Sequence, residues 1–453
     1  MLKKLIIYAA LFCAGSLCFL FFSRAALYNY DVAADYEYDF SSKQASATEL
    51  AIESSSVELP EQVSLGKSSF LRVSVNASLF SNFVMPFVKV TDGATTEVEY
   101  FEHGAKGARY LNISKFIENG SSKLSFNGSN ISVADGKAEL IQFDNVSLTN
   151  KRVLILAPHP DDAEIAAFGL YSQHDDVYVV TVTSGDAGPF IYDEVYDEDV
   201  AHYLKKGEVR TWNSLTVPML GGVHPERILN LGYNDARLKR MATNKAQVTA
   251  GRYTDISDMT MFRKQNSSSL AAGLTGENNW ESLVGNMVYL LNEIKPDIII
   301  TPSPKLDMHS DHQYTTHALV EALKIINEHD GHLFLYTNHQ VVFNERFPYG
   351  EASATISLPP TPRGSNHFDR LYSHPMSIAQ QKSKIFALDA MNDLRLGTDF
   401  RFPLRAFAQA FETLWYDLSG SNESYFRRAI RSNEFFFVVD IEDIYDAEKL
   451  ADL

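Results

Sequence analysis

The stretch VLILAPHPDDAEIAAFG, Val153 to Gly169, decides how this chain is read. Its first five residues are an apolar run of the length and composition of a buried strand, and AEIAAFGLYSQ beyond it reads as a helix. Between them stand His159, Asp161 and Asp162. Three side chains able to bind a metal or move a proton therefore crowd the turn where a strand ends.

Working outward, VYVVTVT (Val177 to Thr183) reads as a second strand. Trp280 to Ile294 reads as a helix with Leu283, Met287, Leu290 and Ile294 on one face, and Pro296 separates it from the strand DIIIT. Apolar strands alternating with helices predict an α/β domain with a mostly parallel sheet. Ligands in such sheets bind beyond the carboxyl ends of the strands. That rule selects PHPDD, TSGDAG (Thr183 to Gly188) and SPKLDMHSDH (Ser303 to His312). A catalytic zinc site takes three ligands from histidine and carboxylate and keeps a fourth position for water. His159, Asp162 and one histidine of His309-Ser310-Asp311-His312 make such a set, which leaves Asp161 as a base for the water. No G-x-G-x-x-G follows the first strand, so dinucleotide binding is disfavoured.

APHPDDAE, VTVTSGDAG and HSDH followed by TTHALVEAL resemble, in that order, the motifs of the PIG-L/LmbE-like family of N-acetylglucosamine deacetylases, over about Lys151 to Val439. The resemblance implies a Rossmann-like fold and metal-dependent hydrolysis of sugar acetamides, with zinc as the usual metal and another divalent ion as the alternative. It implies His159, Asp162 and His312 as metal ligands, Asp161 as general base, and His309 as general acid or oxyanion donor, with Asp311 orienting a neighbouring histidine. It places Arg210, Asp235 and Asp186 among the substrate-binding residues. The chain departs from the pattern at Asp307, where some members carry a tyrosine two positions before the first histidine of the last motif.

The rest of the chain sets the context. Residues 5–22, LIIYAALFCAGSLCFLFF, carry no charge and follow Lys3 and Lys4. They read as a signal-anchor, or a signal peptide, within residues 1–27, with everything after Arg24 outside the cytoplasm. Residues 28–62 read as a linker or stalk. Residues 63–147 read as a small antiparallel β-sandwich, since Leu71, Val73, Val75, Ala77 and Leu79 alternate with polar residues. Residues 148–453 make the catalytic domain. Both cysteines, Cys13 and Cys18, lie in the apolar stretch, so a metal beyond it must be held by histidine and carboxylate. A net charge of −17 excludes nucleic acid as an electrostatic partner. Aromatic and acidic residues of Pro189 to Arg210 suggest a substrate lid, and Lys239 to Asn279 an insert that shapes an extended cleft.

The expectation is a membrane-anchored, extracytoplasmic, zinc-dependent hydrolase removing N-acetyl groups from amino sugars of a glycan or glycolipid. The alternatives are a hydrolase of another N-acyl amide with the same metal site, and a non-catalytic glycan-binding protein.

Overall fold

The computed structural model describes residues 28, 30–40, 43–60, 66–192, 194–340, 347–360, 366–391 and 425–453, with the isolated positions 15 and 414. The chain divides into a β unit, residues 1–144 with 342–363, and an α/β unit, residues 145–341 with 364–453. The stretch read as a signal-anchor, residues 5–22, lies outside the described residues apart from position 15. Among the described residues no helix is long and apolar enough to cross a membrane.

The β unit contains β1 (Ala45–Glu53), β2 (Ser56–Glu58), β3 (Lys67–Ala77), β4 (Phe87–Thr91), β5 (Thr96–Tyr100), β6 (Lys106–Asn112), β7 (Lys123–Ser129), β8 (Ile131–Val133) and β9 (Gly136–Asp144). The alternation along β3 has the expected cause: Leu71, Val73, Val75 and Ala77 are buried in a common core. Leu79 breaks from it and is exposed. The unit is antiparallel throughout, as the alternation implies. Hydrogen bonding runs without a break through the order β5-β4-β7-β2-β1-β9-β3-β6, and β8 pairs with β3. Because β8 follows β7 through Asn130, whose φ is 58°, the antiparallel sheet curls back to β3 around one core.

Two boundaries also differ from the sequence reading. The stretch read as a stalk supplies β1, which pairs with β9 from Ala45↔Phe143 to Ile52↔Gly136, and β2. Residues ahead of β1 are fastened as well, since the buried Arg109 guanidinium donates to the carbonyls of Val32 and Ala34 and pairs with Glu102 at 2.6 Å. A segment from the far half of the chain belongs here too: Thr355 N donates to Val98 O, and Asn112 Nδ2 to Ile356 O.

The α/β unit has β10 (Val153–Ala157), β11 (Val177–Thr183), β12 (Ile228–Tyr233), β13 (Ile298–Pro302), β14 (His332–Tyr336), β15 (Arg370–Pro375) and β16 (Asn433–Asp440). Its sheet runs β12-β11-β10-β13-β14-β16-β15, parallel from β12 to β14 with β16 antiparallel to β14. Every residue of β10 and β13 is buried, which explains their unbroken apolar runs. The helices that matter here are α1 (Asp162–Tyr171), α2 (Asp199–Thr216), α3 (Trp280–Ile294), α4 (Ser310–Ile326) and α5 (Ile378–Ala390). Asn279 caps α3 by accepting from Ser282 N, and Lys295, left-handed at φ 51°, ends it just before Pro296. Strand order reverses between β10, whose successor β11 lies on one side, and β13 on the other. A crevice at the carboxyl ends is expected at that switch point.

Helix α1 is interrupted at Ala167, where φ is −141°. The break leaves backbone N–H groups without helical partners, and Glu434 of β16 accepts from Gly169 N at 2.7 Å and Leu170 N at 2.9 Å. Lys384 of α5 balances that carboxylate at 3.0 Å and donates to Ile165 O, with both charged side chains almost fully buried. Removing one partner leaves a desolvated charge, which costs about 3–5 kcal/mol. Glu434→Ala is therefore expected to lower the urea-unfolding free energy of the α/β unit by that amount, and a loss below about 1 kcal/mol would show that water reaches Lys384.

Candidate active site

At the end of β10 the chain turns through Pro158 and Pro160 into α1. His159 and Asp162 are buried there, with Asp162 in the first turn of the helix. From the end of β13 come Asp307, His309 and, on α4, Asp311 and His312. From β11 comes Asp186, from β12 Asp235, and from β14 Asn338. All nine site residues expected from the sequence thus lie near one end of the sheet, but they do not all do what was expected.

The centre is a triangle of three atoms. Asp162 Oδ2 lies 3.2 Å from His159 Nδ1 and 3.1 Å from His312 Nε2, and the two ring nitrogens are 3.2 Å apart. A tetrahedral ion with bonds of 2.0–2.1 Å requires donor–donor edges of about 3.4 Å, so these edges fit a zinc-sized cation with slight expansion. Two imidazole nitrogens and a carboxylate oxygen also suit that ion chemically. His309 lies beside them: ring nitrogens of His159, His309 and His312 all fall within 4.8 Å of one another. His309 Nδ1 is buried without a hydrogen-bond partner among the described residues.

Each of these three side chains is held from behind. Asp162 accepts from His159 N at 2.9 Å and, through its other oxygen, from Asn338 Nδ2 at 2.7 Å. His312 Nδ1 faces Asp307 Oδ2 at 2.9 Å. That same carboxylate accepts from the backbone of His309, Asn338 and His339, which ties the β13 and β14 loops together. His159 Nε2 faces Asp235 Oδ1 at 3.0 Å and Asp311 Oδ2 at 3.5 Å. Asp311 in turn accepts from Ala236 N and Leu238 N.

This changes three expected roles. Asp235, read as a substrate contact, is the nearest carboxylate to His159 Nε2 and is buried. Asp186, read likewise, is buried and hydrogen-bonded through both oxygens, to Ser184 Oγ and Asp235 N on one and Asn234 Nδ2 on the other. It holds the β12 loop rather than facing a ligand, and burial raises its pKa to about 6. Arg210 packs against Gly185, where a Cβ would come within 2.7 Å of the guanidinium, and Nη2 donates to Pro160 O at 2.9 Å and to Asp161 Oδ2 at 3.2 Å. It clamps Asp161.

Asp161 itself has φ 137° and ψ −28°, a conformation that L-residues rarely adopt. It makes no side-chain cap bond to α1, so the ordinary reason for aspartate at this position is absent. Strain of this kind persists where surrounding contacts over-determine it, and it concentrates at reactive positions.

The charges are mutually adjusted. Burial opposes ionisation of Asp162, but His312 and His159 outweigh it and hold the carboxyl well below the usual range. Burial would depress the His312 pKa, yet Asp162 and Asp307 raise it to about 10. His309 goes the other way, to about 3, through burial first and then the neighbouring His159 and His312. It is neutral at rest, which suits a hydrogen-bond donor better than a resident acid.

Three contributors were not anticipated. Asn338 and His339 follow β14, and the His339 ring lies 5.2 Å from that of His312. The strand-end rule applied to HLFLY would have found them. Asp307 was noticed only as a departure, and proves to orient His312. The lid reading fares less well: Phe190 is buried with its ring stacked 3.8 Å from that of His202. The insert folds back on the site's support, with Asn278 Nδ2 donating to Asn234 Oδ1.

Residues 154–323 match a protein family described as PIG-L: GlcNAc-PI de-N-acetylase. No curated protein matches the chain. Solved structures with some similarity include the N,N'-diacetylchitobiose deacetylase from Pyrococcus horikoshii, at 16% identity and TM-score 0.32 over 64% of this chain and 84% of that one. The zinc-inhibited form of teicoplanin deacetylase matches at 15% identity and TM-score 0.31, over 64% and 98%. The 4-carboxy-2-hydroxymuconate hydratase of Pseudomonas putida matches at 12% and 0.33, over 64% and 96%.

Asp307→Ala should free the His312 ring and weaken zinc binding by about 10–100-fold, read by competition with a chromophoric chelator. Unchanged affinity would mean that packing alone orients the ring.

Proposed function

We propose, with residues 154–323 forming a domain of the PIG-L family, that the chain is a metal-dependent hydrolase that removes the acetyl group from N-acetylated amino sugars. The observation that carries this reading is the triangle of His159 Nδ1, Asp162 Oδ2 and His312 Nε2 set beside the clamped Asp161. Those three atoms would hold a divalent cation, zinc by donor type, which when bound supplies a Lewis acid for the acetamide carbonyl.

The chain's own residues do the rest. Asp161 Oδ2, oriented by Arg210, accepts a proton from the attacking water as its oxygen bonds to the acetyl carbon. The neutral His309 imidazole donates its N–H to the carbonyl oxygen as negative charge develops there. Asp161 then delivers the proton to the sugar nitrogen, the C–N bond breaks, and acetate and a free amine leave. Asp235 and Asp311 keep the His159 ring turned with Nδ1 toward the triangle. The buried loop anchor Asp186 keeps Asp235 in place.

A glycan or glycolipid outside the cytoplasm is the substrate class we infer, on the strength of the charge-free residues 5–22 behind Lys3 and Lys4.

The test is acetate release from a panel of N-acetylhexosamine oligosaccharides by the full chain with zinc. Asp161→Asn is expected to keep its metal and lose about 10²–10⁴-fold in turnover. His159→Ala is expected to lose metal and activity together. An Asp161→Asn enzyme as active as the parent would remove the assigned base, and absence of release from every sugar by a metal-loaded chain would refute the substrate class.

A further inference from the structure

Among the described residues of the β unit, three large apolar side chains stand largely in solvent: Leu79 at 79% exposure, Phe80 at 59% and Val84 at 46%. All three sit on one knuckle after β3, built on the single 3-10 turn Leu79–Asn82. Val84 N donates to Phe80 O, and the Phe80 and Phe83 rings lie 6.1 Å apart. No charge interrupts Leu79 to Phe87. A unit that buries the inward faces of its strands so thoroughly leaves its apolar surface concentrated at one tip, a pattern that marks an interaction site.

The knuckle is fixed in place and lies next to the N-terminal segment. Ser81 is buried; its carbonyl lies 2.6 Å from His103 Nδ1, and its hydroxyl accepts from Gly104 N. His103 N donates to the hydroxyl of the buried Tyr28, and Lys106 N to Val32 O. The chain therefore enters the β unit one residue's contact away from the exposed apolar tip. Only residues 23–27 separate Tyr28 from the end of the charge-free stretch 5–22. Six Cα steps reach about 20 Å at full extension. If residues 5–22 sit in a bilayer, the knuckle is confined near its surface.

We propose that the Leu79–Val84 knuckle is a membrane-contact site that inserts Leu79, Phe80 and Val84 into the boundary between headgroups and acyl chains. The proposal rests on the anchor reading of residues 5–22 and not on the amide chemistry. The occupant is a lipid surface rather than a protein because the tether brings the tip to the bilayer, and the tip offers apolar area with no charged side chain for a protein partner to pair with. The segments that pack against the knuckle carry both signs of charge, Asp31 and Asp35 ahead of β1 and Lys106 at the start of β6, so a zwitterionic bilayer suffices.

The test uses the full chain, with Cys13→Ser and Cys18→Ser, reconstituted in phosphatidylcholine vesicles. Phe80→Cys, Val84→Cys and the control Ser46→Cys each carry a polarity-sensitive fluorophore. Ser46 is exposed and linked through Gln142 to Ser69, which lies eight residues before Ala77 on β3, roughly 26 Å away along the strand. Labels at 80 and 84 should emit to the blue of the label at 46 and lose roughly half their intensity or more when the acyl chains are brominated. Emission at 80 and 84 as aqueous as at 46, from chains that float with the vesicles, would overturn the knuckle while leaving the anchor. Blue-shifted emission that bromination does not quench would overturn it in favour of cover by protein, either the chain's own N-terminal stretch or a second copy. Failure of the chain to float would overturn both.

Discussion

Two imidazole nitrogens and a carboxylate oxygen held within 3.2 Å of one another, out of water, form an arrangement that no side chain would choose for itself. Desolvating ionic groups is costly unless each is paired and hydrogen-bonded. The α/β unit meets this by building outward. Behind each of the three side chains stands a carboxylate or amide, and backbone N–H groups stand in turn behind Asp307 and Asp311. Asp307 shows the economy of this scheme, since one side chain orients His312 and fastens two loops that arrive from different strands.

The same logic explains why the site lies where it does. The parallel strands deliver their loops to one end, and the reversal of order between β10 and β13 parts the chain there. His159 and Asp162 come from one side of that parting and His312 from the other, so the triangle closes across it. Backbone rigidity on both sides is needed for a spacing set to a few tenths of an ångström. Fully buried strands provide it.

How much of this was legible in the sequence depended on the range over which the information is written. His159, Asp162 and His312 could be found because histidine and aspartate at strand ends are local signals, and the order of the motifs added to them. The role of Asp235 could not, because it depends on how a loop after β12 leans toward a ring from β10. Asn338 meets Asp162 across 176 positions of chain. In the β unit, β1 was missed for a different reason. All but one of its residues are exposed or half-buried, so ASATELAIE shows no apolar face to betray a strand. The strand exists because β9 and β2 pair with it, and pairing leaves no mark on its own composition.

The electrostatics complete the account of the proposed metal site. Asp162, Asp235 and Asp307 are all held below the ordinary carboxylate range, and the imidazoles they face are held above theirs, although burial alone would push every one of them the other way. Ionic attraction therefore exceeds desolvation throughout the cluster, and the lone pairs of His159 and His312 are under strong demand for positive charge. A proton on each nitrogen and a divalent cation between them satisfy the same demand with the same charge. Cation binding then amounts to an exchange for protons with little change in the buried charge, and so with little change in the desolvation that the surrounding carboxylates must compensate. His309, pushed toward neutrality by burial and by the same two rings, stands outside this exchange, with its buried Nδ1 unpaired among the described residues.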